Sequence, residues 1–98
     1  MRIITKKRID EYSKLHADVK TALEDWHNKT KNADWDSFSD VRKTFNSVDS
    51  VGNGRFVFDI KGNSYRLVAL IKFTLKLVYI RFIGTHAEYD KINDCSKE

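Results

Sequence analysis

The chain has 98 residues, a net charge of +4, no proline and a single cysteine. That length supports one domain over residues 1–98 with a modest core, and the lone thiol, Cys95, excludes an internal disulfide or a cysteine zinc site. The apolar runs are too short to span a bilayer and Met1 leads straight into Arg2-Ile3-Ile4 without a signal-peptide pattern, so a cytoplasmic protein with no membrane partner is expected.

Met1–Ile4 reads as a short strand. Thr5 can cap a helix over about residues 6–16, with Ile9 and Tyr12 turned inward. A second helix over about residues 18–31 places Val19, Ala22, Leu23 and Trp26 at helical spacing. Residues 32–40 form a polar connection, and residues 39–45 suggest a further helical turn. Residues 46–54 read as a turn-rich loop ending in Gly52-Asn53-Gly54. No Gly-Lys-Ser/Thr follows, so this is not a nucleotide-binding P-loop.

Three strands are expected next, over about residues 55–61, 64–73 and 75–83, with Gly62-Asn63 as a hairpin turn and a second short turn near Thr74-Leu75. A polar tail begins at about residue 93. If both connections are even in length, the pleat sorts the side chains into two faces. Phe56, Phe58, Ile60, Tyr65, Leu67, Ala69, Ile71, Phe73, Val78, Ile80 and Phe82 form an apolar face that the helices should cover. The opposite face is mixed and basic: Arg55, Val57, Asp59, Arg66, Val68, Leu70, Lys72, Leu77, Tyr79, Arg81 and Ile83. Arg66 and Arg81 are expected on that same face of neighbouring strands, with Asp59 opposite Arg66. Two cations so placed repel unless an anion joins them; the plainer alternative is an Arg66–Asp59 cross-strand pair and a solvated Arg81.

The stretch from Tyr79 to Ile92 concentrates the chemistry. Gly84 stops the last strand, Thr85 is a helix N-cap, and Glu88 three residues on completes a capping box. His86 and Tyr89 are three apart and share a face of the short helix that follows. A cation, an imidazole and a phenol therefore converge at one strand end. Excess positive charge falls in the same half: after Val51 there are eight basic against five acidic residues, which favours an anionic partner.

These groups suit cleavage of RNA without a metal. The ribose 2′-hydroxyl attacks the adjacent phosphate and the 5′-oxygen leaves, which requires a proton acceptor, a proton donor and cationic stabilisation. An imidazole serves in either proton role, arginine grips phosphate oxygens in a fork, and tyrosine donates a proton or stacks on a base. His16, His27 and His86 are scattered, Glu88 and Asp90 cannot share a helical face, and no Gly-x-Ser-x-Gly elbow is present. No metal and no cofactor are expected.

The run Arg81-Phe82-Ile83-Gly84-Thr85-His86-Ala87-Glu88-Tyr89-Asp90-Lys91-Ile92 resembles the C-terminal signature of the HigB toxins, RelE-like mRNA interferases of bacterial type II toxin–antitoxin systems. The likeness continues through Arg55–Val68, Ala33-Asp34-Trp35 and Met1–Ile4. It implies an α+β RelE-like fold, with an N-terminal strand and two-helix hairpin packed on a mainly antiparallel sheet and a short C-terminal helix. It implies Arg66, Arg81, His86 and Tyr89 as catalytic residues, with the base and acid roles of His86 and Tyr89 left open. Lys91 is a further phosphate contact, Arg55 and Lys72 are candidate RNA contacts, and Leu70 stands where many relatives carry a basic residue. The implied partners are translated mRNA, the ribosomal A site and a HigA-like helix-turn-helix antitoxin, with Lys6, Lys7 and Arg8 as candidate ribosomal RNA contacts. A different class remains open, a module that binds RNA or the ribosome and blocks translation without cutting.

Overall fold

The computed structural model describes residues 1–62 and 64–92; Cys95, the polar tail and Asn63 of the Gly62-Asn63 turn lie outside them. Strand β1 (Arg2–Ile3) is followed by helix α1 (Lys6–Leu15), a 3-10 turn (Ala17–Val19), helix α2 (Lys20–Lys31) and helix α3 (Phe38–Thr44). Then come β2 (Val48–Gly52), β3 (Arg55–Ile60), β4 (Tyr65–Lys72), β5 (Leu77–Thr85) and helix α4 (His86–Asp90). The fold is α+β, as expected. The sheet runs β1-β5-β4-β3-β2, antiparallel except where β1 lies parallel to β5.

The core forms between α1–α3 and one sheet face. Ile9, Val19, Leu23, Trp26 and Val41 of the helical layer meet Phe56, Phe58, Ile60, Leu67, Ala69, Ile71, Val78 and Ile80 of the strands. Trp26 meets Phe58 edge-on at 5.4 Å between ring centroids, and Phe45 meets Phe58 in the same way at 5.2 Å. Such pairs add attraction beyond buried area because ring edges and faces carry opposite partial charge.

Residues 46–54 depart from the expected loop. Val48–Gly52 is an edge strand against β3, with only Val48 fully buried. The polar Asp49 and Ser50 suit an edge, where one side and one face meet water. Gly52, Asn53 and Gly54 take φ of 94°, 52° and 74°. A left-handed run like this requires glycine or asparagine, so Gly-Asn-Gly is the turn of the β2–β3 hairpin.

The second departure lies in β5. Ile80 is opposite Ala69 but Phe82 is opposite Val68, so Arg81 is the additional residue of a β-bulge. An inserted residue reverses the alternation beyond it. Phe82 thus sits on the face of Val68 rather than in the core, and Ile83, opposite Leu67, packs against the core. Arg81, exposed and without a cross-strand partner of its own, is no longer placed by strict alternation: Arg66 is opposite Gly84, three residues beyond Arg81.

Groups from α1 satisfy the strand edge around the bulge. β1 ends at Ile3, and just beyond it the Ile4 amide donates to the Val78 carbonyl at 3.0 Å. From there the Thr5 hydroxyl accepts from the Ile80 amide at 2.5 Å and Arg8 Nη1 donates to the Arg81 carbonyl at 2.8 Å. Thr5 occupies the N-cap position of α1 yet makes no side-chain cap bond, because its hydroxyl serves the strand.

Candidate active site

Arg66 lies in mid-sheet, in the second position of β4, and is buried with 9% of its surface exposed. A guanidinium so placed needs a counter-charge. Asp59, directly opposite on β3, supplies it: Arg66 Nε is 3.1 Å from Asp59 Oδ1. Arg66 Nη1 also donates to the Tyr65 carbonyl at 3.3 Å. The expected cross-strand pair is present, and it fixes the guanidinium instead of merely screening it.

Helix α4 begins where β5 ends. The Thr85 hydroxyl accepts from the Glu88 amide at 3.2 Å, and Glu88 Oε1 accepts from the Thr85 amide at 2.8 Å, which completes the capping box. The Thr85 amide holds the Glu88 carboxyl below its usual range. The His86 amide donates to the Ser64 carbonyl at 3.0 Å, tying α4 to the β3–β4 connection. On α1, burial and then the Glu88 charge push the Tyr12 phenol up to about 12. Five residues of helix are thus held by the capping box at their start and by the bond to Ser64.

This anchoring sets the side chains that matter. The Tyr89 ring centroid lies 5.8 Å from the Arg66 guanidinium carbon, within range of a cation–π contact. His86 Nδ1 lies 2.9 Å from Asp90 Oδ2, one helical turn on. Asp90 was not expected at the site, although its i,i+4 spacing from His86 was legible. Arg66 and Tyr89 are in contact, and His86 stands three residues before Tyr89 on the same short helix.

The other expected residues lie further out. Arg81 is exposed on the bulge. Arg55 is opposite Leu70 on the same sheet face as Arg66, its Nη1 donating to the Asn53 carbonyl at 2.8 Å. Lys72 is exposed at the far end of β4, about 20 Å from Arg66 at the rise of a strand. Lys91 is the exposed C-cap of α4. Arg8 is engaged with β5, and Lys6 and Lys7 face Asp10 and Glu11 at 3.7 and 3.6 Å. His16 stacks on Tyr12 with ring centroids 4.2 Å apart. Among the described residues no three His, Cys, Asp or Glu side chains are grouped to hold a metal ion, and no helix is long and apolar enough to cross a membrane.

A helical layer on one side of a mainly antiparallel sheet fits the α+β fold expected of a RelE-like toxin. Comparison with known proteins places the chain within that class. The model of the HigB toxin family, described as the RelE-like toxic component of a toxin–antitoxin system, matches residues 19–92. The mRNA interferase HigB of Escherichia coli O6:H1 (strain CFT073) is 30% identical over the whole chain and 97% of its own length. The mRNA interferase toxin HigB of Escherichia coli K12 is 29% identical over 92% of this chain and 88% of its own, and the mRNA interferase HigB of Shigella flexneri matches to the same extent. The chain belongs to the HigB toxin family, and an antitoxin partner follows from that membership.

Proposed function

We propose that this chain is an mRNA interferase, a toxin that cuts messages during translation and thereby halts growth, with Arg66, Arg81, His86 and Tyr89 as its catalytic set. The observation that carries the reading is the convergence on α4: Tyr89 against the buried Arg66 guanidinium, and His86 paired with Asp90 on the same helical turn. It is supported by the relatives named as mRNA interferases, matched along most of their length.

The reaction is intramolecular. With Nδ1–H given to Asp90, the His86 Nε2 lone pair takes the proton of the 2′-hydroxyl, whose oxygen bonds to the adjacent phosphorus. The bond from phosphorus to the 5′-oxygen breaks, and Tyr89 gives that oxygen a proton. The products are a 2′,3′-cyclic phosphate and a 5′-hydroxyl. Arg66 and Arg81 stabilise the charge that grows on the phosphate oxygens; Arg55, Lys72 and Lys91 hold the flanking backbone. Orienting the message falls to the ribosomal A site. A HigA-like helix-turn-helix antitoxin neutralises the toxin in the cytoplasm.

The test is mRNA integrity after brief induction of the wild type and of His86→Ala, with cut positions mapped by primer extension. Cuts within translated codons that vanish in the variant are the expected result. Halted translation with intact messages would instead assign the basic face to a binding module that blocks the ribosome.

A further inference from the structure

Five of the six phenylalanines, Phe38, Phe45, Phe56, Phe58 and Phe73, belong to the core or pack against it. Phe82 does neither, and it has no ring partner among the described residues. The bulge at Arg81 is the cause, since it turns Phe82 onto the face that carries Val68 and, two residues along β4, Arg66. The ring leans toward α4. A Cβ built on Gly84 would come within 2.5 Å of Phe82 Cζ, so the edge of the ring fills the place a side chain at Gly84 would take. Gly84 is opposite Arg66 and two residues before His86. A half-buried aromatic ring therefore lies over Gly84, the residue opposite Arg66 and two before His86, outside the hydrophobic core.

We infer that Phe82 is the platform on which a base next to the scissile phosphate stacks, an inference that rests on the RNA-cleaving reading above. A π-face accepts any base and restricts the rotation of the nucleotide it holds. Restricting that rotation aligns the 2′-hydroxyl with the phosphorus, which is the geometry the reaction requires. The bulge, the unsubstituted Gly84 and the Arg66–Asp59 pair then act together: the first turns the ring outward, the second leaves room for it, and the third fixes the cation on the neighbouring strand.

The experiment measures cleavage of a translated reporter mRNA in a reconstituted translation system by primer extension. It compares wild type with Phe82→Leu, Phe82→Ala, Phe82→Tyr and Phe82→Trp, each checked for a native melting transition. Phe82→Leu keeps an apolar cover over Gly84 but has no π-face. Phe82→Leu and Phe82→Ala are expected to cut at least about tenfold more slowly, the order of one stacked base, with Phe82→Tyr and Phe82→Trp losing less than Phe82→Leu. Phe82→Leu cutting as fast as wild type would overturn the inference while leaving the interferase reading intact. Wild type that cuts nothing would overturn that reading instead. In that case quenching of Phe82→Trp fluorescence by a short RNA decides the stacking: greater quenching than by the same strand with abasic positions supports it, and equal or absent quenching overturns it.

Discussion

Arg8 on the first helix donates through Nη1 to the main-chain carbonyl of Arg81, the additional residue of the bulge in β5, at 2.8 Å. Together with the Thr5 hydroxyl on the Ile80 amide, it continues the edge that β1 leaves uncovered and holds the bulge open. Arg8→Ala and Thr5→Val should each destabilise the fold by about 1 kcal/mol, the usual net worth of one hydrogen bond, measured as a shift in the urea midpoint. Hydrogen exchange at the Ile80 amide should rise in Thr5→Val by more than the global loss explains. Unchanged exchange at that amide would remove Thr5 from the account.

The pair of Arg66 with Asp59 makes a separable prediction. Asp59→Ala leaves a buried guanidinium without its counter-charge and should cost about 2–3 kcal/mol, less than a fully buried pair because Asp59 retains 29% side-chain exposure. Replacing both residues with apolar ones, Asp59→Leu with Arg66→Met, should recover most of that stability, as apolar side chains of similar volume often do. Cleavage should remain abolished in the double variant. Toxicity returning together with stability would sink the assignment of Arg66 to the chemistry.

Much of this was legible in the sequence, for physical reasons that differ from element to element. The helix stripes of Ile9, Leu23 and Trp26, the pairing of Asp59 with Arg66, and the Thr85–Glu88 capping box follow from spacing alone, because each depends on residues a fixed number of bonds or pleats apart. The bulge was not legible. Nothing in Ile80-Arg81-Phe82 distinguishes an even pleat from an interrupted one, and the difference comes from Thr5 and Arg8, more than seventy residues away in sequence. One missed insertion exchanged the faces of Phe82 and Ile83. Strand β2 escaped for another reason: with Asp49, Ser50 and Gly52 in five residues it has almost no apolar pattern, and its pairing with β3 gives it its form.

Asp90 should matter through His86. A carboxylate 2.9 Å from Nδ1 holds the ring and selects the nitrogen that reacts. Asp90→Asn is expected to slow cleavage by about tenfold, and His86→Ala by about a hundredfold or more, the range for losing general acid–base catalysis. Neither should shift the melting temperature appreciably, because both side chains are well exposed at the end of the chain's last described helix. Induced cultures assayed for growth and message cutting provide the measurement. If Asp90→Asn cuts at the wild-type rate while His86→Ala does not, the pairing has no catalytic role.

Stability should fall on the acid side, and part of that fall belongs to the cap of α4. The Thr85 amide bond, ahead of any other cause, holds the Glu88 carboxyl below its ordinary value of 4.5. A carboxyl depressed in the folded chain stabilises it above the unfolded value, and that contribution disappears as pH drops through the folded value. Asp18, held down by the Tyr65 hydroxyl and then Lys61, and Asp34, held down by Lys76, act in the same direction from 3.8. Melting temperature should therefore decline from about pH 5 toward pH 3, and Glu88→Gln, which still offers the Thr85 amide an oxygen, should make the decline shallower. An identical slope in Glu88→Gln would mean that the carboxylate charge contributes nothing to the cap, and that α4 is held by its backbone bond to Ser64 and by Tyr89 against Arg66.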